Sequence, residues 1–201
     1  MVLPSVRIQL LLPLLAGVVL HACSSRDYCS VSPAPCDSLP LDTVGLRDGD
    51  LVFREGPSPE SRSVILASGA QYSHVGILAR DEVGGHWTVV HAVPSEEKPE
   101  LVKQEPLAIF LRTDRALSAC TQRICCSDSL ARAAARYAIR QVGVPFDHDY
   151  SLSDTTRFYC TELVWQSYLH QGLDISQGRR HRVGILGFDD DYIYPVDLLT
   201  E

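Results

Sequence analysis

The chain has 201 residues, a net charge of -7 and 45% hydrophobic residues, enough for one domain with a sizeable core and too few for two large ones. The acidic balance excludes a nucleic-acid partner, which needs clustered Lys and Arg to displace counterions. The one basic run, Arg179-Arg180-His181-Arg182, lies between Gly178 and Gly184 without an aromatic or Gly-rich cradle, so it reads as a solvated surface loop.

At the N-terminus, Arg7 precedes the apolar run Ile8 to Leu20, too short to span a bilayer comfortably. The run ends in Leu20-His21-Ala22-Cys23, followed by Ser24-Ser25. A hydrophobic residue three before a Cys and a small residue just before it resemble the lipobox of bacterial lipoproteins. His21 stands where a small residue is usual. By that resemblance residues 1–22 are a signal peptide, Cys23 is the lipidation site, and Ser24 suits the outer membrane, facing the periplasm. Simple secretion after Ala22 and an uncleaved anchor are the alternatives. Residues 23–45, with Pro33, Pro35 and Pro40, read as a linker off the lipid anchor, and 46–201 as the folded domain. Of 7 cysteines, Cys23 and Cys160 are assigned other roles, so at most two disulfides form. The local choices are Cys29 with Cys36, and Cys120 with Cys125 or Cys126. No paired CxxC is present, so neither a structural zinc nor any other metal or cofactor is expected.

Within the domain, Gly49 to Arg54 reads as a strand after a turn. Glu60 to Ser68 reads as a helix with Val64, Ile65 and Ala67 inward, closed by Gly69. His74 to Arg80 and His86 to Val93 are strands joined by the hairpin signal Asp81 to Gly85. A shorter strand covers Glu100 to Val102, and Pro106 to Arg112 is a helical turn. Ser127 or Asp128 caps a helix to about Val142, with Leu130, Ala134, Tyr137, Ala138 and Val142 at helical spacing, stopped by Gly143 and Pro145. A last helix runs from Cys160 to Gln171. A hairpin-rich sheet with flanking helices predicts an α+β fold with an antiparallel sheet, not a βαβ repeat.

Cys160 opens a helix, where free backbone N–H groups and the macrodipole favour a thiolate and a developing oxyanion. A thiol also needs a base. His74 starts a strand, and Gly76, two residues on, leaves room on the same face. His91 alternates with Trp87, Val89 and Val93 and so lies on an apolar face of the next strand, where it can orient His74. Tyr72 and Tyr159 flank the two blocks and are candidates for substrate binding or oxyanion donation. Asp147-His148-Asp149 and Asp189-Asp190-Asp191 read as solvated loops, and Glu162 as a structural acid in the first turn of its helix.

Three blocks in order, Gly49 to Phe53, Ser73-His74-Val75-Gly76-Ile77, and Phe158-Tyr159-Cys160-Thr161-Glu162-Leu163-Val164-Trp165, resemble the YiiX/YaeF-like family. These are circularly permuted papain-like amidases of the NlpC-like superfamily. The likeness extends over roughly 46 to 199. Papain-like chains run Cys, His, polar residue; here both histidines precede the Cys, as permutation requires. The resemblance implies Cys160 as nucleophile, His74 as general base and His91 as the orienting third residue, a place where many permuted relatives carry Glu. It implies a cysteine hydrolase acting on an amide through a thioester acyl-enzyme. For an enzyme anchored in the cell envelope, peptidoglycan fragments or an acyl-amide are the expected substrates. A lipid acyltransferase or thioesterase like the permuted lecithin retinol acyltransferase, and a catalytically silent envelope binding module, are the rivals.

Overall fold

The computed structural model describes residues 28–29, 38–94, 98–182 and 191–199, the first two by backbone alone. Residues 1–22, read from the sequence as a signal peptide, together with Cys23 and Asp189-Asp190, lie outside the described residues. Six strands form one antiparallel sheet: β1 (Tyr28–Cys29), β2 (Leu51–Glu55), β3 (His74–Arg80), β4 (Trp87–Ala92), β5 (Val102–Pro106) and β6 (Ser118–Gln122). Their order is β1-β6-β2-β3-β4-β5. The helices are α1 (Pro59–Ser68), the single turn α2 (Leu107–Phe110), α3 (Asp128–Arg140) and α4 (Cys160–Leu169). The pair β7 (His181–Arg182) and β8 (Asp191–Tyr192) and a 3-10 turn, Pro195–Leu198, complete the described elements. Among the described residues no helix is long and apolar enough to cross a membrane.

Alternation along each strand gives the sheet two unlike faces. Leu51, Phe53, Val75, Ile77, Val90, Ala92, Val102 and Cys120 join the main core with the buried Ala134 and Ala138 of α3 and Leu163, Val164 and Tyr168 of α4. The opposite parity carries Val52, Leu78, Val89 and Ala119, covered among the described residues by Leu107 and Phe110 of α2, Leu111 and a few partly buried residues, among them Leu39, Leu41 and Trp87. Registers Arg54↔His74, Val89↔Glu105 and His91↔Lys103 set a polar group on this second, thinly covered face. Four of its members, Arg54, His74, His91 and Glu105, are buried.

Several elements differ from expectation. The stretch read as a linker is partly docked: β1 pairs with β6, Ser38 bridges to Arg112, and Leu39 and Leu41 pack on the thin face. β6 has no counterpart in the sequence reading, and β5 begins where a shorter strand was expected to end. In α1 no residue is buried and Leu66 is 84% exposed. The Ser58 side chain caps its start and left-handed Gly69 closes it as expected, but its apolar residues do not turn into a core. Cys125 is disulfide-bonded while Cys120 and Cys126 are thiols, so neither local pairing with Cys120 forms. The basic run lies at the surface as expected, with Arg179, His181 and Arg182 exposed, but it is tethered: Arg179 donates to Asp197 O, Arg180 lies over Trp165, and His181 meets the Asp197 carboxylate.

Candidate active site

Cys160 is the first residue of α4, preceded by Tyr159 in extended conformation. No side chain caps this end, so the first-turn N–H groups stay available at the cleft. Backbone N–H groups of Val75, Thr161 and Cys160 itself favour the thiolate, yet burial outweighs them and pushes the thiol up to about 11. This reverses the expected lowering. A helix end contributes at most about 2 kcal/mol of charge stabilisation, less than the desolvation of a sulfur in this core.

His74 opens β3 opposite Arg54. Gly76 then clears the space beside it: a Cβ there would sit 2.3 Å from Val89 Cγ1 and 3.2 Å from His91 Cβ. The two imidazoles meet edge to face, with His74 Nε2 and His91 Nδ1 2.9 Å apart. Phe110 from α2 stacks on His74 with centroids 5.7 Å apart and stands edge-on to His91 at 5.0 Å. The Arg54 guanidinium lies over the Phe110 ring and donates to Phe110 O at 2.8 Å. Burial, with Arg54 as the largest nearby charge, drives the pKa of both histidines well below the ordinary value. At neutral pH the site therefore pairs a thiol with neutral imidazoles.

Beyond His91 the chain continues. His91 Nε2 is 3.0 Å from Glu105 Oε1, and Glu105 Oε2 is 3.2 Å from Arg115 Nη1 and 3.7 Å from Lys103 Nζ. Neither Glu105 nor Arg115 stands out in the sequence. The signal that finds Glu105 is its parity on β5, visible only once β5 is placed beside β4.

Cys160 and His74 line one cleft of about 230 Å³, with Arg54, Ser73, Tyr150 and Tyr192 among its walls and Glu60, Ser61 and Val64 of α1 beside them. The tyrosines predicted from sequence are elsewhere. Tyr72 packs against Phe53 in the core, and Tyr159 is buried, its hydroxyl accepting from Ile193 N at 3.2 Å. Tyr150, half-buried, lines the cleft instead. It is held at φ 52 by a loop whose buried Asp147 accepts from the N–H groups of Asp149 at 3.0 Å and Ser151 at 2.7 Å. Asp147 is thus a turn-former, not a solvated acid. A non-glycine residue in the left-handed region costs of the order of 1–2 kcal/mol, a cost met here by neighbouring bonds. Glu162 lies in the first turn of α4, fully buried.

This arrangement has counterparts. The profile of the family described as permuted papain-like amidase enzyme, YaeF/YiiX, C92 family, matches residues 45–191. The uncharacterized protein YiiX of Escherichia coli K12 is 30% identical over 134 residues, 65% of this chain and 61% of that protein, so the match spans under two thirds of the relative's length. The crystal structure of the metalloprotein YiiX from Escherichia coli O157:H7 superposes with a TM-score of 0.62 at 22% identity, covering 76% of this chain and 91% of that one. It shares the fold: an antiparallel sheet and helices in permuted papain-like order. With the profile spanning both histidine strands and the Cys160 helix, the chain belongs to the permuted papain-like amidase family, a family of cysteine amidases and peptidases.

Proposed function

We propose that this protein is a cell-envelope cysteine hydrolase that cleaves an amide through Cys160, His74 and His91. The observation that carries the reading is the 2.9 Å bond between the two buried imidazoles. It commits His74 Nε2 to His91 and leaves Nδ1 as the one ring nitrogen for the thiol in their shared cleft. His74 takes the Cys160 proton as sulfur attacks the amide carbonyl; the carbonyl electrons move to oxygen, facing the free first-turn N–H groups of α4. Collapse expels the amine, which receives the proton from His74, and leaves a thioester on Cys160. Water then adds to the thioester, with His74 taking its proton and returning it to the departing sulfur.

The proposed substrate is a peptidoglycan-type peptide or a related acyl-amide. The cleft mixes Arg54, Ser58, Ser61 and Ser73 with Val64, Val93, Phe146 and Tyr192, and its volume of about 230 Å³, small for a long acyl chain, weighs against the lipid acyltransferase reading. The presence of nucleophile, base and orienting group together weighs against a silent binding module. His91 has both ring nitrogens committed, so among the described residues the site offers no convergent trio of lone pairs to a metal. Envelope anchoring rests on Leu20-His21-Ala22-Cys23.

The deciding experiment is to trap a labelled acyl-thioester on Cys160. Labelling from cell-wall fragments and none from phospholipid is the expected result. Labelling from phospholipid alone supports the acyltransferase, and none from either supports the binding module. For the anchor, wild-type protein expressed in a bacterial host takes up labelled fatty acid and Cys23→Ser does not. A soluble, unlabelled wild type overturns the lipoprotein reading and leaves the enzyme reading standing.

A further inference from the structure

We infer that Glu105 is a positioning residue that selects the basic nitrogen of His74 from two rings away. The inference rests on the Cys160–His74–His91 reading but makes a claim about protons that stands apart from turnover. A carboxylate has only acceptors, so at 3.0 Å His91 Nε2 must bring the hydrogen. A neutral ring carries one N–H, and burial keeps His91 neutral. His91 Nδ1 is therefore a lone pair. At 2.9 Å from it, His74 Nε2 must donate in turn. That leaves the lone pair of His74 on Nδ1, where a thiol proton can be taken. Without an acceptor beyond His91, the opposite assignment satisfies the imidazole pair equally well. In that assignment His74 presents Nδ1–H and cannot act as a base.

The surroundings support this role. Glu105 is 9% exposed, so its carboxylate has little water to fall back on, and its second oxygen faces Arg115 at 3.2 Å and Lys103 at 3.7 Å. These cations orient the carboxylate while its other oxygen faces the ring. When His74 takes the thiol proton, the same carboxylate lies along the hydrogen-bonded line to the new positive charge and favours it. Phe110 closes the imidazole pair from one side, so the two rings have few other partners.

The near-isosteric change Glu105→Gln gives a sharp test. Arg115 and Lys103 attract the amide oxygen, which turns the NH₂ group toward His91 Nε2. That forces a lone pair onto Nε2, a proton onto His91 Nδ1, and a proton onto His74 Nδ1, inverting both tautomers. Long-range ¹H–¹⁵N correlation on protein with ¹⁵N-labelled histidine reads these states directly at neutral pH. In wild type we expect Nε2–H on both rings. In Glu105→Gln we expect Nδ1–H on both, with kcat lower by as much as about 10⁴-fold, the cost of a wrong tautomer in a related triad. KM and melting temperature should change little. A wild-type spectrum with Nδ1–H on His74 overturns the inference without any variant. So does a Glu105→Gln protein that keeps wild-type tautomers, whether active or not. If the tautomers behave as expected while no acyl-thioester forms on Cys160, the proposed function fails and the positioning role of Glu105 stands.

Discussion

The two faces of the sheet solve different problems with the same strands. One buries Phe53, Ile77 and Val90 against α3 and α4 and is apolar almost throughout. The other, under the single turn α2, mixes Val52, Leu78 and Val89 with a buried row of Arg54, His74, His91 and Glu105. The thick face supplies the thiol, at the start of a helix anchored by Leu163 and Tyr168. The thin face supplies the imidazoles. The cleft sits where His74, at the very start of β3, brings the two together. Both faces are packed, but only the thin one carries the imidazoles, so changes on the two sides should differ in their effect on pH dependence.

The largest expected effect is on turnover. Cys160→Ala and His74→Ala should each lower kcat by on the order of 10⁴-fold or more, with little added by combining them, because the residues act as one unit. Neither should unfold the protein. His91→Ala should retain more than His74→Ala, and His91→Glu or His91→Asn more again, since either can still accept from His74 Nε2. A fully active but destabilised His91→Ala would make His91 a packing residue and break the division between the faces.

Phe110→Ala sharpens the comparison on stability. The ring is fully buried against both imidazoles, and its loss should cost about 3–5 kcal/mol. The opening also admits water to the histidines. Their lowered pKa values should move back up toward 6.5, shifting the acid limb of kcat/KM to higher pH, because His74 works only when neutral. Leu163→Ala on the thick face should cost about 2–5 kcal/mol with no such shift. Equal pH profiles in the two variants would show that the thin face does not set the histidines' titration.

Next in size is the reactivity of Cys160. With its thiol pushed up to about 11 by burial, the thiolate fraction climbs steadily through neutrality. Alkylation by iodoacetamide should rise about 100-fold between roughly pH 6 and pH 8, tracking that fraction. A rate flat across that range would mean a preformed thiolate–imidazolium pair, and the helix N-terminus would then outweigh the buried core.

What the sequence revealed follows the same division. The thick face was legible because helical spacing and strand alternation are apolar signals: α3, α4, β3 and β4 are where periodicity put them, give or take two residues. The helix start, the Gly76 clearance and the alternation with Trp87 and Val89 only pointed toward Cys160, His74 and His91; the three blocks that resemble the permuted family joined them, and the fold sets the two imidazoles together and Cys160 in the same cleft as His74. The rest of the thin face was not legible. Val102-Lys103-Gln104-Glu105-Pro106 is too charged to read as a buried strand, and Ser118-Ala119-Cys120-Thr121-Gln122 lacks alternation because all five residues are buried. Glu105 was hidden with its strand. Tyr150 was hidden because its exposure to the cleft comes from a left-handed backbone that a chain of long-range and local bonds imposes. Tyr72 and Tyr159 were chosen by nearness in sequence, but both are buried in the main core and neither is among the cleft walls.

The smallest effect concerns α1, which belongs to neither face. It has no buried residue, and its first turns, through Glu60, Ser61 and Val64, form part of the cleft wall. Its order therefore depends more on local terms than on packing. Ser58 Oγ accepts the Ser61 N–H at 3.1 Å, an N-cap whose removal typically costs about 1 kcal/mol. In Ser58→Ala that loss should fall on the helix alone, because nothing in the main core leans on it. Hydrogen exchange should quicken across 59–68 while the exchange of α3 and α4 and the melting temperature stay nearly unchanged. Since Ser58 and α1 both border the cleft but carry no proton, KM should rise a few-fold with kcat held. A fall in global melting temperature comparable to that of Leu163→Ala would show that α1 is coupled to the thick face after all. An unchanged KM would show that the substrate does not use this wall.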